Sequence, residues 1–209
     1  MKTKNKRKIE SKWRRKMPRI IFATGNAGKM KEIREILSDL PYDVVSMKEA
    51  GVTADIVEDG TTFEENAMIK AKTIAELTGE IAMADDSGLE VDYLDKAPGI
   101  YSARFLGEDT SYEIKNKYLI DQLDGVEGED RSARFVCAIA CVWPDGKSKV
   151  CRATIEGVLA KEPAGENGFG YDPIFYVPQY GKTTAELSME EKNEISHRAK
   201  ALREMKKEF

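Results

Sequence analysis

Apolar and polar residues along this chain follow two rhythms, one of period two and one of period near 3.6. Arg19 to Thr24 is a short apolar run, the pattern of a buried strand, and Gly25-Asn26-Ala27-Gly28-Lys29 follows as a glycine-punctuated loop. From Lys29 to Leu40, apolar Met30, Ile33, Ile36, Leu37 and Leu40 recur at helical spacing. Tyr42 to Met47 reads as a second strand. A strong helix begins at Thr61 or Thr62, with Glu64 and Glu65 each placed as a capping-box partner and a stripe of Phe63, Ala67, Ala71, Ile74 and Ala75. Ile81 to Ala84 predicts a buried strand, with Asp85-Asp86-Ser87-Gly88 in the first turn beyond it, and Leu89 to Leu94 alternates like another strand. Thr110 to Leu123 is helical. Ala133 to Trp143 and Lys149 to Leu159 are strands joined at Pro144-Asp145-Gly146, a hairpin signal. Gly165 to Gly170 is a glycine-rich loop, and Ile174 to Val177 is a short strand. Helical sequence fills the end from Ser188, whose capping-box partner is Glu191. Helices alternate with strands and one long hairpin is present, so the predicted fold is α/β with a mixed β-sheet flanked by helices.

Composition narrows this picture. The 209 residues are 41% hydrophobic and 33% charged, the balance of a globular chain, and no apolar stretch is long enough to cross a bilayer. The net charge of −4 hides an asymmetry: Lys2, Lys4, Lys6, Arg7, Lys8, Lys12, Arg14, Arg15 and Lys16 face a single acid, Glu10, in the first segment. No apolar core follows them, so this is not a secretory signal. Residues 1–17 read as a basic, disordered extension, and a nonspecific nucleic-acid contact is the alternative. The remaining body is strongly acidic, which argues against nucleic-acid binding by the fold itself. Cys137, Cys141 and Cys151 fall in apolar strand segments and are expected as buried free thiols in a reducing compartment, the cytoplasm. With His197 as the one histidine, multi-histidine metal sites are excluded.

Five segments carry candidate chemistry. Asp85 and Asp86 are two carboxylates so close that a cation between them would relieve their repulsion, which points to a hard metal and a phosphorylated substrate; ordinary turn chemistry is the alternative. Thr24 to Lys29 is strand, glycine loop, lysine and helix, so backbone N–H groups and Lys29 make a phosphate site, although the spacing is not that of a Walker A loop. Among the acids before the helix at Thr62, Glu64 and Glu65 complement its dipole; Glu58 does not, and is the candidate second metal ligand. Asn66 and Lys70, four apart, permit a polar helix face toward a cleft. Phe169, between Gly168 and Gly170, can present a stacking surface for a base, with Asp172 or backbone groups reading its edge; burial of Phe169 and Tyr171 in the core is the alternative. On one continuous helix Lys192, His197 and Arg198 would diverge, so a break near Ile195-Ser196 is predicted, with Ser196 capping a new helix.

The segments Ala23–Lys29, Thr62–Ala67, Ala84–Gly88, Ala97–Arg104, Gly168–Pro173 and Ile195–Arg198 together resemble the inosine/xanthosine triphosphate pyrophosphatases, which act on noncanonical purine nucleotides. The resemblance runs from about residue 19 to 205 and leaves the basic extension unexplained. It implies two lobes of one domain, residues 18–209, around a central nucleotide cleft. It further implies a homodimeric, Mg²⁺-dependent hydrolase that cuts ITP, dITP or XTP between the α- and β-phosphates. By motif position, Thr24, Gly25, Asn26, Ala27, Gly28 and Lys29 would hold the triphosphate. Asp86 would be catalytic base and metal ligand, with Glu58 as the second ligand and Ser87 beside the substrate. Phe169, Gly170, Tyr171 and Asp172 would hold the base and sugar, and Lys192, His197 and Arg198 would complete the nucleotide site. Asp85 is left as a structural acid.

Overall fold

The computed structural model describes residues 17–209; the basic extension expected over residues 1–17 lies outside them except for Met17. One open seven-stranded sheet organises the chain, in the order β2-β1-β3-β4-β5-β6-β7. Its strands are β1 (Arg19–Phe22), β2 (Asp43–Ser46), β3 (Ile81–Val91), β4 (Ser132–Val142), β5 (Ser148–Leu159), β6 (Phe175–Val177) and β7 (Lys182–Thr183). β1 runs parallel to both β2 and β3, whereas every pairing from β3 to β7 is antiparallel. The helices are α1 (Ala27–Ile36), α2 (Met47–Ala50), α3 (Phe63–Thr78), α4 (Tyr112–Gln122), α5 (Met189–Ile195) and α6 (His197–Lys206).

Side chains fix the helix starts. Asn26 caps α1 by accepting from the N–H of Lys29, and Thr62 caps α3 by accepting from the N–H of Glu65. Ser188 and Glu191 form the expected capping box of α5. Ser196 ends α5 and caps α6 through the N–H of Ala199, so the predicted break is present. The two-residue β7 and the short α2 have no counterpart in the hydrophobic pattern.

One expectation is overturned. Asp85-Asp86-Ser87-Gly88 is not a turn between two strands, because β3 runs unbroken through all four residues. β4 pairs with every position from Ala82 to Val91, so the ladder satisfies a backbone that local side chains would otherwise bend. Gly88 is explained by crowding: a Cβ there would lie 2.4 Å from the carbonyl oxygen of Gly99 and 2.5 Å from Ser102 Oγ.

Three cores follow from the long strands. Phe22, Met83, Ile139 and Leu202 pack on the sheet face covered by α1 and α6. Ile21, Ala84, Ala138 and Ala67 pack on the opposite face under α3. Leu89, Phe135, Leu119 and Phe175 form a third core at the far end of β3–β5, under α4. All three cysteines are free and buried, and no described helix is long and apolar enough to cross a membrane.

Candidate active site

Successive side chains of a strand point to opposite faces, so Asp85 and Asp86 cannot share one ion. Asp85 lies on the Met83 face, where Lys29 Nζ of α1 is 2.7 Å from its Oδ2 and Arg198 Nη2 of α6 is 3.4 Å away. Asp86 lies on the Ala84 face, where Lys70 Nζ of α3 donates to Oδ1 at 3.0 Å and Asn66 Nδ2 donates to Oδ2 at 3.3 Å. The idea of a cation held between the two aspartates is therefore corrected: each has its own cation on its own side of the sheet.

The two faces communicate around one edge. β1 pairs with β3 only as far as Phe22 opposite Met83, with one further bond from the N–H of Ala23 to the Met83 carbonyl. Beyond that point the β1-side edge of β3 is left to the Thr24–Lys29 loop. Asn26 and Lys29 line a cleft of about 220 Å³ on the Asp85 side, with Ser87, Phe169, Lys192, His197 and Arg198. Thr24, Gly25 and Ala27 line a broader cleft of about 990 Å³ on the other side, with Glu58 and Lys70. Gly28 lets the loop meet Phe169, since a Cβ there would lie 2.9 Å from the ring.

Burial and charge set the protonation of both acids. Burial alone would push Asp85 up, yet Lys29, Arg198 and Lys70 outweigh it and hold the carboxyl well below the usual range. Asp86 is raised, because burial and the neighbouring Glu58 exceed the opposing effect of Lys70 and Lys29. Lys70 is held charged despite burial, chiefly by Asp86, Asp85 and Glu58. Glu58 Oε2 accepts from Lys70 Nζ at 2.8 Å, so Glu58 and Asp86 converge on one ammonium. Two oxygen donors from separate elements suit a hard divalent cation that keeps water and phosphate ligands. Among the described residues no cluster of three or more His, Cys, Asp or Glu side chains could hold a metal by itself, so phosphate oxygens would have to complete the shell.

The smaller cleft is walled by aromatics and buried cations. Phe169 is half-buried, with Lys192 Nζ 5.1 Å and Arg198 Cζ 5.7 Å from its ring centre. His197 stacks on Phe135 with centroids 4.9 Å apart. Burial, then Arg198 and Lys192, push His197 well below the usual imidazole range, so the ring is neutral. Buried Glu32 holds the cations in place by taking Arg198 Nη1 and Lys192 Nζ.

The chain matches the Ham1 family over residues 20–208. It belongs to the Ham1 family. Within it, a Bacillus licheniformis protein named dITP/XTP pyrophosphatase is 51% identical over 189 residues, 90% of this chain and 96% of the relative. Two solved structures agree in fold. The Staphylococcus aureus Ham1 protein superposes with a TM-score of 0.81 at 44% identity, covering 90% of this chain and 96% of that one. A HAM1 protein from Coxiella burnetii gives 0.83 at 42% identity, covering 91% and 98%.

Most of the sequence-predicted residues gather in or beside these two clefts, with three refinements. Tyr171 turns into the core and donates its hydroxyl to the Ser102 carbonyl at 2.7 Å, with only 4% of its surface exposed. Asp172 is engaged on both oxygens, by Thr184 Oγ1 on one and by the Phe169 N–H and Lys192 Nζ on the other, so backbone groups of the loop are left to face a base. Arg198 is committed to Glu32, Asp85 and Ser87 Oγ. Glu32 was missed; on α1 it sits three positions after Lys29, the same-face spacing that signals a buried partner. Lys70 and Asn66 were legible only as a polar helix face, and both land on Asp86.

Proposed function

We propose that this chain hydrolyses noncanonical purine nucleoside triphosphates, ITP, dITP and XTP, to the monophosphate and pyrophosphate. The observation that carries the reading is the pair of clefts on either side of the Thr24–Lys29 loop, one aromatic and the other lined by Glu58 and Lys70, whose ammonium also binds Asp86. The names of the Ham1-family relatives support the substrate class.

In this mechanism the base stacks on Phe169 and the triphosphate follows the loop to Asp86. Asp86, whose proton affinity burial raises, takes a proton from a water whose oxygen bonds to the α-phosphorus. The bond from that phosphorus to the bridging oxygen breaks, and pyrophosphate leaves with the electron pair. Lys29 Nζ and the loop N–H groups of Gly25, Ala27 and Gly28, which the internal bonds of the loop leave available, stabilise the leaving group. Magnesium held by Glu58, Asp86 and phosphate oxygens would neutralise charge on the reacting phosphates. Donors near His197 and Arg198 favour a 6-keto oxygen, because an exocyclic amine there would leave a buried donor unpaired. A cytoplasmic location is supported by the free thiols; a homodimer is part of the same reading, and sedimentation velocity checks it.

The test is pyrophosphate release from ITP, dITP, XTP, ATP and GTP with and without Mg²⁺, using wild type and Asp86→Asn. Release from the first three should need Mg²⁺ and exceed that from ATP by at least about tenfold. Asp86→Asn should bind nucleotide and lose about a hundredfold or more in kcat. Equal activity on ATP, or near-normal turnover by the variant, overturns the proposal.

A further inference from the structure

α4 carries two adjacent polar side chains that stability does not explain. Lys115 is 1% exposed, yet its Nζ has one hydrogen-bond acceptor, the Ala103 carbonyl at 2.7 Å, and otherwise faces the Tyr112 ring at 4.9 Å. Among the described residues no carboxylate forms an ion pair with it. Leu119 further along α4 and Leu123 at its end are fully buried core, where an apolar side chain would avoid burying an ammonium. Asn116 is 5% exposed; its Nδ2 donates to the Gly170 carbonyl at 3.1 Å while its Oδ1 is buried without a partner. A half-satisfied buried amide is unfavourable compared with a well-packed leucine.

Both bonds end on backbone carbonyls that belong to the smaller cleft. Ala103 and Gly170, which is next to Phe169, both line it, on two wall segments from different parts of the chain. Consecutive positions of one helix therefore grip the two walls. A third bond, from Tyr171 Oη to the Ser102 carbonyl, ties the walls to each other one residue away from each grip. Tyr112, the first residue of α4, lies between them and packs edge-on against Tyr171 at 5.1 Å.

We infer that Lys115 and Asn116 are positioning residues that set the width of the base cleft and thereby its selectivity among purine bases. The inference rests on the proposed function, because it takes this cleft as the base site. The two wall segments come from distant parts of the chain, and one helix hydrogen-bonded to both sets their separation. A wall that moves outward loses stacking and keto-oxygen contacts but leaves Asp86, Lys70 and the phosphate loop unchanged. Affinity and base discrimination should therefore change, and the chemical step should not.

The experiment is steady-state kinetics of Lys115→Met and Asn116→Ala with ITP and ATP, beside wild type. Each variant should raise KM for ITP about tenfold, keep kcat within about twofold, and shrink the ITP-over-ATP preference in kcat/KM about tenfold. A merely structural role would lower kcat through loss of active protein and leave KM and the preference alone; that result overturns the inference. Tyr171→Phe removes only the hydroxyl and preserves ring packing, so it carries the same test should the Lys115 variant fail to fold, with a smaller KM increase in the same direction. Unchanged KM in that variant and in Asn116→Ala also overturns it. A wild-type protein that shows no preference for ITP would refute the proposed function instead.

Discussion

Asp85 and Asp86 are neighbours in sequence with opposite proton affinities, and the difference comes from what each meets across its face of the sheet. Asp85 is surrounded by positive charge and stays ionised, whereas Asp86 shares its one close cation, Lys70, with Glu58. As pH falls, Asp86 takes up a proton before an ordinary aspartate would, so the acid limb of kcat/KM should lie higher than an unperturbed aspartate would place it. Lys70 opposes that rise. Lys70→Met should therefore move the acid limb to still higher pH and lower kcat at neutral pH, while Asp85, with Lys29 and Arg198 intact, stays charged. A pH–rate profile of the two proteins from pH 4.5 to 9 measures this, and an acid limb that stays in place would show that Asp86 titrates independently of Lys70.

Among the elements, the break at Ser196 does the most for the cleft. It turns the chain between Lys192 and His197, so that side chains which would diverge on one helix line the same opening. Ser196→Ala should lower stability by about 1 kcal/mol through loss of the cap. Urea unfolding measures the loss, and KM for ITP should rise as His197 and Arg198 lose their fixed start; a variant with wild-type stability and KM would remove Ser196 from this role. Such breaks and caps are legible in sequence because they depend on residues three or four apart: Asn26, Thr62, Ser188 and Ser196 all act over that distance. The interruption expected at Asp85-Asp86-Ser87-Gly88 fails for the converse reason. Its turn chemistry is local, but β4, some fifty residues away in the chain, supplies the hydrogen bonds that keep it extended. The candidate site divides in the same way. Thr24–Lys29, Phe169 and His197 could be found as motifs, while Glu32, and Lys70 as the link between Glu58 and Asp86, emerge only when distant elements close on each other.

At the scale of the whole molecule, burial of charged and titratable groups around β3 links stability to pH. His197 is neutral when folded, with its pKa far below 6.5, and is free to protonate when unfolded. Its contribution is fully present above the unfolded pKa and is lost as pH falls below it, because only the unfolded state then gains the proton. Between pH 7.5 and 5.5 the loss should be about 1 kcal/mol. Asp86 acts in the opposite direction, since a raised pKa favours the folded state at low pH, and Asp85 and Glu32, held below their usual values, lose their contributions only in stronger acid. The comparison of wild type with His197→Gln isolates the imidazole: in urea titrations at the two pH values, the variant should show the smaller fall. Equal falls would mean that the folded protein admits the proton. The alternation of β3 has a further consequence for how the site tolerates errors in the chain. If one residue were inserted just before Ala84 and the pairing with β4 kept, the side chain of Asp85 would occupy the place of Asp86, and a carboxylate would still stand before Lys70. The substitution would be silent at the chemistry, but Ser87 would arrive where Gly88 now passes the Gly99 carbonyl, where a Cβ has only 2.4 Å. The glycine thus serves as a parity check: paired aspartates make the reacting group redundant by one step, and the one residue without a side chain rejects the frame in which the wrong aspartate would serve.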